Sequence, residues 1–202
     1  PVISPDSVMN GRAVSSKAQY FKIIAKAGER MFIDCFAERI ASRMDALLVL
    51  TDSEGVELGR ARESVGGDPL LEFNAKTDGD YLLRVSDFLA RGGDNYHYRL
   101  LVRKGAQVDF VLPLSAEPGK KQSFQVYGRN LPGGVPSADG LERLEVNVDV
   151  PVVAERCRTS LLKPVNAGMR GFHYRVGSGE SGSNPVFIPH SKLPVVIDAG
   201  SN

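Results

Sequence analysis

The amino-acid sequence predicts an all-β chain composed of two consecutive antiparallel β-sandwich domains. Short apolar runs of strand length recur roughly every 10 to 15 residues. Many of these runs alternate apolar and polar side chains, which is the period of a strand with one buried face. Gly, Pro, Asp and Asn separate the runs, as is typical of turns between strands. Short strands at this spacing are typical of antiparallel β-sandwiches.

Seven strand candidates lie in the first half of the chain: Gln19–Lys26, Arg30–Ala37, Asp45–Asp52, Val56–Arg60, Leu70–Asn74, Gly79–Ser86 and Asn95–Arg103. Asp45–Asp52 is a nearly continuous apolar run, which is typical of a buried strand. The main alternative is a helix over Glu29–Met44, because that stretch contains neither Gly nor Pro. Its first half is β-branched and aromatic, which favours a strand there and leaves a helical turn near Glu38–Met44.

The second half contains further strand candidates beyond a boundary near Lys104-Gly105-Ala106. They are Val108–Ser115, Gln122–Gly128, Leu141–Val150, Met169–Val176, Asn184–Ile188 and Leu193–Ile197, with a loop rich in Gly and Pro over Asn130–Gly140. We therefore predict a first domain over 1–104, in which 1–10 is a lead-in linker. We predict an immunoglobulin-like sandwich over 105–202, in which 198–202 is a linker toward a next domain.

Charge and hydropathy exclude two classes of partner. The chain has 25 Lys and Arg against 24 Asp and Glu, for a net charge of +1. A surface that binds nucleic acid or an anionic membrane needs a basic excess, so we expect neither partner. No apolar run reaches the roughly 18 residues of a membrane-spanning helix, so we expect no membrane insertion. Because the chain begins at Pro1 without a methionine, we expect it to be a segment of a larger protein.

The two cysteines, Cys35 and Cys157, match no zinc or redox motif. They lie far apart in the sequence and in different predicted domains. This placement favours two buried free thiols that act as small apolar residues. An interdomain disulfide stays open, because only its geometry decides it.

One glycine-rich segment contains two partial catalytic motifs. Gly177–Gly182 fits the pattern GxGxxG, but Pro185 and a strand-like run follow it. The dinucleotide-binding fingerprint needs a helix at that place, so a hairpin loop is the better interpretation. Ser181 lies in a Gly-Glu-Ser-Gly sequence similar to the nucleophile loop of some serine proteases, yet no Gly-x-Ser-x-Gly elbow is present.

The histidines and the acidic residues predict neither a triad nor a metal site. His97, His173 and His190 are scattered and lack the spacing of zinc ligands. A Ser-His-Asp triad stays formally open, because its members meet only in space, but we do not expect one. The acidic groups lie beside turn glycines and are too sparse for a calcium loop; they are Asp52 with Glu54, Asp78 with Asp80, and Asp94 with its neighbour Asn95. We interpret them as turn residues.

Three tyrosines leave two alternatives open. Tyr81, Tyr96 and Tyr98 form either an exposed stripe that binds a ligand or a set of core and cross-strand contacts. We favour the core, because aromatic residues on paired strands commonly pack across the sheet. No ligand-binding residue is assigned from the sequence.

The first half resembles the bacterial pre-peptidase C-terminal domain over about Gly11–Arg103. The stretches that carry the resemblance are Tyr20–Ile23, Ala25–Arg30, Asp45–Leu50, Asp52–Gly55, Gly67–Phe73 and Asp78–Val85. The resemblance implies a jelly-roll-like β-sandwich from a secreted bacterial protein, often beside a peptidase and usually not catalytic. It also implies that some members bind collagen or other extracellular polymers and that some bind calcium.

The calcium site that this resemblance implies is largely missing here. Members that bind calcium have an acidic lead-in and an Asp before the Tyr-Phe pair, whereas this chain has Ile3–Ser7 and Gln19. Asp6 alone supplies too little charge to compensate the dehydration of a divalent ion. We therefore expect no cofactor.

The second half resembles the sandwich that follows this domain in large planctomycete-type secreted proteins. The matching stretches are Val126–Gly134 and Ser183–Val186. In such proteins the pair repeats. Leu193–Asn202 resembles the lead-in to another copy, and Pro1–Ser7 resembles the same lead-in entering this copy.

We expect a non-catalytic segment of a large exported bacterial protein that works in adhesion, binding or spacing. Its expected location is extracellular or in the cell envelope. Its expected partners are an extracellular polymer or protein and the neighbouring domains of its own chain. One alternative is an accessory domain that targets or folds a secreted peptidase. Another is a module that binds a small ligand or a carbohydrate, for which an outward Tyr96 or Tyr98 would argue.

Overall fold

The computed structural model describes residues 1–137, 140–156, 169–177 and 182–196. The chain divides into two compact units, Pro1–Lys104 and Gly105–Asn202. Regular structure in the described residues is β-strand, apart from one 3₁₀ helix at Glu38–Ile40. The prediction of an all-β chain with antiparallel sheets is therefore confirmed. Within the same ranges, no helix has the length and apolar character needed to cross a membrane.

The first unit is a sandwich of a five-stranded and a four-stranded sheet. The five-stranded sheet has the order β1 (Val2–Ile3), β3 (Gln19–Ala25), β8 (Gly79–Asp87), β5 (Ala46–Thr51), β6 (Glu57–Ala61). The four-stranded sheet has the order β2 (Ser7–Arg12), β9 (His97–Arg103), β4 (Arg30–Phe36), β7 (Leu70–Asn74). All seven strands predicted in this half are present, with ends that differ by one or two residues at most.

The core of the first unit lies between these sheets and takes alternate side chains from each strand. It includes Phe21, Ile23, Met31, Ile33, Leu48, Leu50, Leu83 and Leu100. Strand β5 fits its apolar sequence, since five of its residues are buried on both faces. The rigid sheets that result fix the direction of the outward side chains.

The predicted lead-in linker over residues 1–10 is wrong, because this segment contributes a strand to each sheet. Strand β1 pairs with β3 in parallel, the one parallel pairing among the named strands of the described part, and β2 pairs with β9. The physical reason is burial: Ile3 enters the core and is 3% exposed, and Met9 packs against the same core. Two prolines, Pro1 and Pro5, frame β1 and obscure the strand pattern in the sequence.

The helical turn expected near Glu38–Met44 is a single 3₁₀ turn over Glu38–Ile40. The carboxylate of Asp68 accepts hydrogen bonds from the backbone N–H groups of Ala37 (3.1 Å), Glu38 (2.8 Å) and Arg39 (3.1 Å). Asp68 lies outside the turn in sequence. It caps the N–H groups that have no acceptor within the turn, and this stabilises so short a helical segment.

The second unit contains a four-stranded and a three-stranded sheet. The first has the order β10 (Gln107–Leu112), β11 (Lys121–Arg129), β13 (Glu142–Asp149), β12 (Val135–Pro136), and the second the order β14 (Glu155–Arg156), β15 (Arg170–Tyr174), β16 (Val186–Pro189). Side chains from both sheets share one core, including Val108, Phe124, Val126, Phe172 and Ile188. The immunoglobulin-like type of this unit stays a prediction.

The strand predicted over Leu193–Ile197 is wrong for its described part. Residues 193–196 form no strand, and Leu193 and Val196 are largely exposed. Pro194 has no N–H to donate to a sheet, which weakens strand pairing at this point. Residues 197–202, with the linker predicted over 198–202, lie outside the described residues.

Candidate binding site

The outer face of the five-stranded sheet carries apolar side chains where a solvent-facing sheet normally carries polar ones. In β3 the side chains of Phe21 and Ile23 enter the core, so that Tyr20, Lys22 and Ile24 point outward. The direction of each side chain follows from the two-residue period of a strand. Strand β3 is therefore apolar on both faces.

Strand β8 continues the same outer surface. Tyr81 and Leu83 are buried, so that Asp80, Leu82 and Arg84 point outward. The register places each outward residue of β3 directly opposite an outward residue of β8, and such pairs have Cβ atoms about 4.5–5.5 Å apart. We call this surface the Tyr20 face; its residues are Tyr20, Lys22, Ile24, Asp80, Leu82 and Arg84.

Three apolar side chains of the Tyr20 face are open to solvent. Tyr20 is 51% exposed, Ile24 52% and Leu82 41%. Single exposed apolar residues are ordinary, but adjacent ones bordered by charges are typical of a surface that contacts a partner. The phenol of Tyr20 adds a hydrogen-bonding group to an otherwise apolar contact area.

The charged groups of the Tyr20 face differ in whether they have a partner. Lys22 Nζ lies 2.5 Å from Asp80 Oδ2, so these two groups neutralise each other. Arg84 Nε is buried and has no hydrogen-bond partner within the described ranges. Glu57, on the edge strand β6, pairs instead with Arg60 at 2.7 Å. The face can therefore offer an apolar contact area beside a guanidinium group.

A buried cluster of charged side chains in the first unit has a structural role. Arg39 Nε lies 2.8 Å from Asp68 Oδ2, its Nη2 contacts Asp34 Oδ1, and its guanidinium lies 3.8 Å from the centre of the Phe36 ring. The side chains of Arg39 and Asp68 are 9% and 0% exposed. The cluster is out of reach of a substrate, and it attaches the 3₁₀ turn to β4.

The three histidines are not brought together with a nucleophile in the described residues. His97 Nε2 lies 3.3 Å from the backbone oxygen of Ile40, and His173 Nδ1 lies 2.9 Å from Glu155 Oε2. His190 packs in the second unit against Phe172, with ring centres 6.0 Å apart. Ser181 lies outside the described residues. In the ranges that the structure covers, no three His, Cys, Asp or Glu side chains converge as metal ligands.

The tyrosines considered as a binding stripe lie in or against the core. Tyr98 is 2% exposed and donates to Gln19 Oε1, and burial raises the pKa of its phenol. Tyr81 is 4% exposed and donates to the backbone oxygen of Thr77 at 2.6 Å. Tyr96 is partly buried against the same core. The core interpretation of these residues is confirmed.

The acidic residues considered as calcium ligands hold turns. Asp52 Oδ1 accepts from the N–H groups of Glu54 (2.9 Å) and Val56 (2.8 Å). Asp78 Oδ1 accepts from Ala27 N–H at 2.7 Å. These bonds close Asx-type turns and loop contacts, as expected for Asp beside Gly. The turn interpretation is confirmed for Asp52, whereas the bond of Asp78 joins two separate loops.

Three other acidic residues have protein partners as well. Asp94 pairs with Arg12, and Asp80 pairs with Lys22 on the Tyr20 face. Asp6, the carboxylate left in the calcium lead-in, accepts from Lys104 N–H at 3.1 Å. Each of these carboxylates therefore has a partner within the folded chain, and the exposed pair of Asp94 with Arg12 adds little stability.

Cys35 is a free, fully buried thiol in the core of the first unit. Burial raises its pKa, which keeps it protonated and unreactive in the folded chain. This agrees with the apolar interpretation of Cys35. Cys157 lies outside the described residues.

A cleft of about 430 Å³ lies near one end of the first unit. Leu58, Phe73 and Tyr81 form its apolar lining, and the Phe73 and Tyr81 rings meet edge to face with centres 4.5 Å apart. Polar side chains of Asp52 and Lys76 lie at the same cleft. Its size suits a small side chain or ligand.

No protein-family model matches the chain, and no curated protein matches its sequence. Among solved structures, the pre-peptidase C-terminal domain of a collagenase from Bacillus anthracis matches 50% of this chain and 92% of its own length, with 17% identity and a TM-score of 0.42. PliG of Aeromonas hydrophila, a periplasmic inhibitor of g-type lysozyme, matches 50% of this chain and 96% of its own, with 17% identity and a TM-score of 0.37.

PliG of Salmonella Typhimurium, another such inhibitor, matches 50% of this chain and 97% of its own, with 13% identity and a TM-score of 0.34. The immunoglobulin-like second domain and the planctomycete-type context stay predictions from the sequence.

The Tyr20 face is not among the surfaces predicted from the sequence, although strand β3 carries a signal for it. Strand β3 reads QYFKIIA, with Tyr20 and Ile24 apolar on the face opposite Phe21 and Ile23. Only the register with β8 shows that Leu82 joins the first two. The face needs both strands, and their pairing is not visible in either segment alone.

Proposed function

We propose that this chain is a non-catalytic binding segment of a large exported bacterial protein, and that the Tyr20 face contacts an extracellular polymer or protein. The observation that supports it is the group of three exposed apolar side chains on one face of a rigid sheet, in which Leu82 lies diagonal to both Tyr20 and Ile24. The resemblance to pre-peptidase C-terminal domains, described above, supports export and the lack of bond chemistry.

The proposed mechanism is surface recognition. A sheet holds its outward side chains in fixed directions, so little conformational entropy is lost when a partner covers them. Tyr20 gives a large contact area with few rotatable bonds, and aromatic anchors of this kind dominate binding energies. Arg84, at the border, provides charge for a carbonyl or carboxylate of the partner.

An accessory domain of a secreted peptidase would use the same surface. A peptidase as the neighbouring domain in the parent protein distinguishes this accessory role from the role of a binding segment. The carbohydrate alternative required an outward Tyr96 or Tyr98. In the first unit Tyr98 is buried and Tyr96 is partly buried, so this argument for it no longer holds. A small-ligand role retains one observation in its favour, the apolar cleft beside Phe73 and Tyr81.

The test measures binding of the whole chain to immobilised type I collagen, peptidoglycan and cellulose. We expect binding to at least one polymer, with a loss of about tenfold or more in Tyr20→Ser and in Leu82→Ser. Leu89→Ser is the matched control, because Leu89 is 61% exposed in a loop after β8 and outside the face. Binding to none of the three, or an equal loss in the control, contradicts the proposal.

A second measurement tests the non-catalytic part. The whole chain is incubated with the same polymers, and soluble fragments are measured. We expect none above the level of the polymer alone. Release of fragments that Ser181→Ala abolishes would overturn the proposal.

A further inference from the structure

A cleft of about 520 Å³ in the second unit has two cationic side chains, Arg170 and Lys192, on its wall. Arg170 of β15, His190 and Lys192 lie on its wall, and no Asp or Glu lines it in the part of the chain that the structure describes. Met169 and Pro118 supply apolar surface in the same cleft. The whole chain is nearly neutral, so this is a local concentration of charge.

The two permanent cations of this cleft have no ion-pair partner among the described residues, and both are exposed. Arg170 and Lys192 differ in this respect from other cations of the unit, such as Lys120, which lies 2.5 Å from Glu117. Two cations on the wall of one concave surface raise the positive potential there, and this potential attracts anions. Their arrangement therefore favours an anionic ligand.

Backbone hydrogen bonds hold the cleft wall in place. His190 N–H donates to the Arg170 oxygen at 2.8 Å, which fixes the two residues side by side. Ser191 N–H donates to the Ala116 oxygen at 2.7 Å, and Ser191 Oγ donates to the Leu193 oxygen at 2.7 Å. The short turn that carries Lys192 is thereby attached to Ala116 at Ser191 and closed by the bond from Ser191 to Leu193, which is the preorganisation that a binding site needs.

His190 contributes an unsatisfied polar atom to the same wall. Its Nε2 is buried and has no hydrogen-bond partner within the described ranges. A buried polar atom without a partner is energetically costly.

We propose that this cleft, which we call the basic cleft, binds the carboxylate or sulfate groups of an anionic polysaccharide. The Arg170 guanidinium suits a planar pair of acceptor oxygens, and the Lys192 ammonium adds a point charge. Met169 and Pro118 offer apolar surface to the C–H groups of a sugar ring. The site is independent of the Tyr20 face, because it uses other residues, another unit and a charged ligand.

The experiment titrates the whole chain with dextran sulfate, polygalacturonate and uncharged dextran at low ionic strength. We expect one or both polyanions to bind, with dextran sulfate indicating a sulfate ligand and polygalacturonate a carboxylate ligand. Arg170→Gln and Lys192→Gln should each weaken binding about tenfold, the size expected for one lost charge-assisted hydrogen bond. Added salt should weaken binding in the wild-type chain.

Lys121→Gln is the matched control, since Lys121 is an exposed cation at the start of β11 and does not line the cleft. Unchanged binding in this variant supports the site. An equal loss in Lys121→Gln, equally tight binding of uncharged dextran, or no binding of either polyanion overturns the proposal. Both cleft substitutions lie at exposed positions, and thermal unfolding curves check that the variants are folded.

Discussion

Asp68 and Arg39, which lie far apart in sequence, form a charged pair at 2.8 Å with almost no solvent contact. The same carboxylate caps the three N–H groups that begin the 3₁₀ turn. One side chain thus holds a loop, a turn and a cation together. Removing Asp68 leaves these three N–H groups and Arg39 Nε without their acceptor, while Arg39 keeps its contact with Asp34.

Asp68→Ala should therefore destabilise the first unit by about 3 to 5 kcal/mol, the range for breaking a buried charged pair. Hydrogen exchange in peptides from β4 and β7 measures this loss within the whole chain. Asp94→Ala is the control, because its pair with Arg12 is exposed on both sides and contributes little. Equal exchange rates in the wild type and Asp68→Ala would show that the pair is not structural.

Seven strands of the first unit, β3 to β9, could be predicted from sequence because each carries its own signal, whereas β1 and β2 could not. Leu70–Asn74 has a strand pattern between turn residues, and the structure gives the same bounds. The Asp68–Arg39 pair has no such local signal, since the partners meet only after β4 and β7 have paired. The Tyr20 face could not be predicted from the sequence for the same reason, because its residues come together only through the register between β3 and β8.

Asp87 gives the first unit a defined dependence on pH. Burial raises the pKa of its carboxyl, but hydrogen bonds from the N–H groups of Arg91 and Asp45 and from the Arg91 side chain outweigh burial, so the pKa is lowered. A carboxyl with a lowered folded-state pKa binds fewer protons folded than unfolded. Its stabilisation is complete above about pH 4 and is lost as the pH falls through the folded pKa.

Asp87→Asn should therefore be less stable than the wild type at pH 7, and the difference should shrink as the pH falls below about 4. Thermal unfolding of both proteins between neutral and acid pH measures this difference. The comparison isolates Asp87, because all other carboxyl groups are common to the two proteins. A difference that is constant with pH would contradict the assignment.

Cys35 should resist alkylation in the folded chain. Its thiol is buried, so the reagent cannot reach it. Its pKa is raised, so the reactive thiolate does not form. The Cys157→Ser variant leaves Cys35 as the single thiol of the chain. Mass spectrometry after iodoacetamide treatment should show no modification under native conditions and full modification in guanidinium chloride. Rapid native modification would contradict burial of this residue.

Ile3 tests whether the first residues of the chain are part of the sandwich or a linker. If these residues were a linker, substitutions in them would leave the free energy of unfolding unchanged. The structure instead places Ile3 in the core at 3% exposure and opposite Ile23 of β3. Ile3→Ala removes buried apolar atoms from a packed site, so it should cost about 2 kcal/mol or more. Val2→Ala removes atoms that are 55% exposed and should cost clearly less.

Hydrogen exchange of β3 peptides separates these two outcomes, because β1 covers part of the edge of β3. In Ile3→Ala the amides of β3 should exchange faster, and in Val2→Ala they should remain close to the wild type. Equal protection in the two variants would mean that the parallel pairing of β1 with β3 adds nothing to stability. In that case the residues of β1 would act as part of a linker, although β2 pairs with β9.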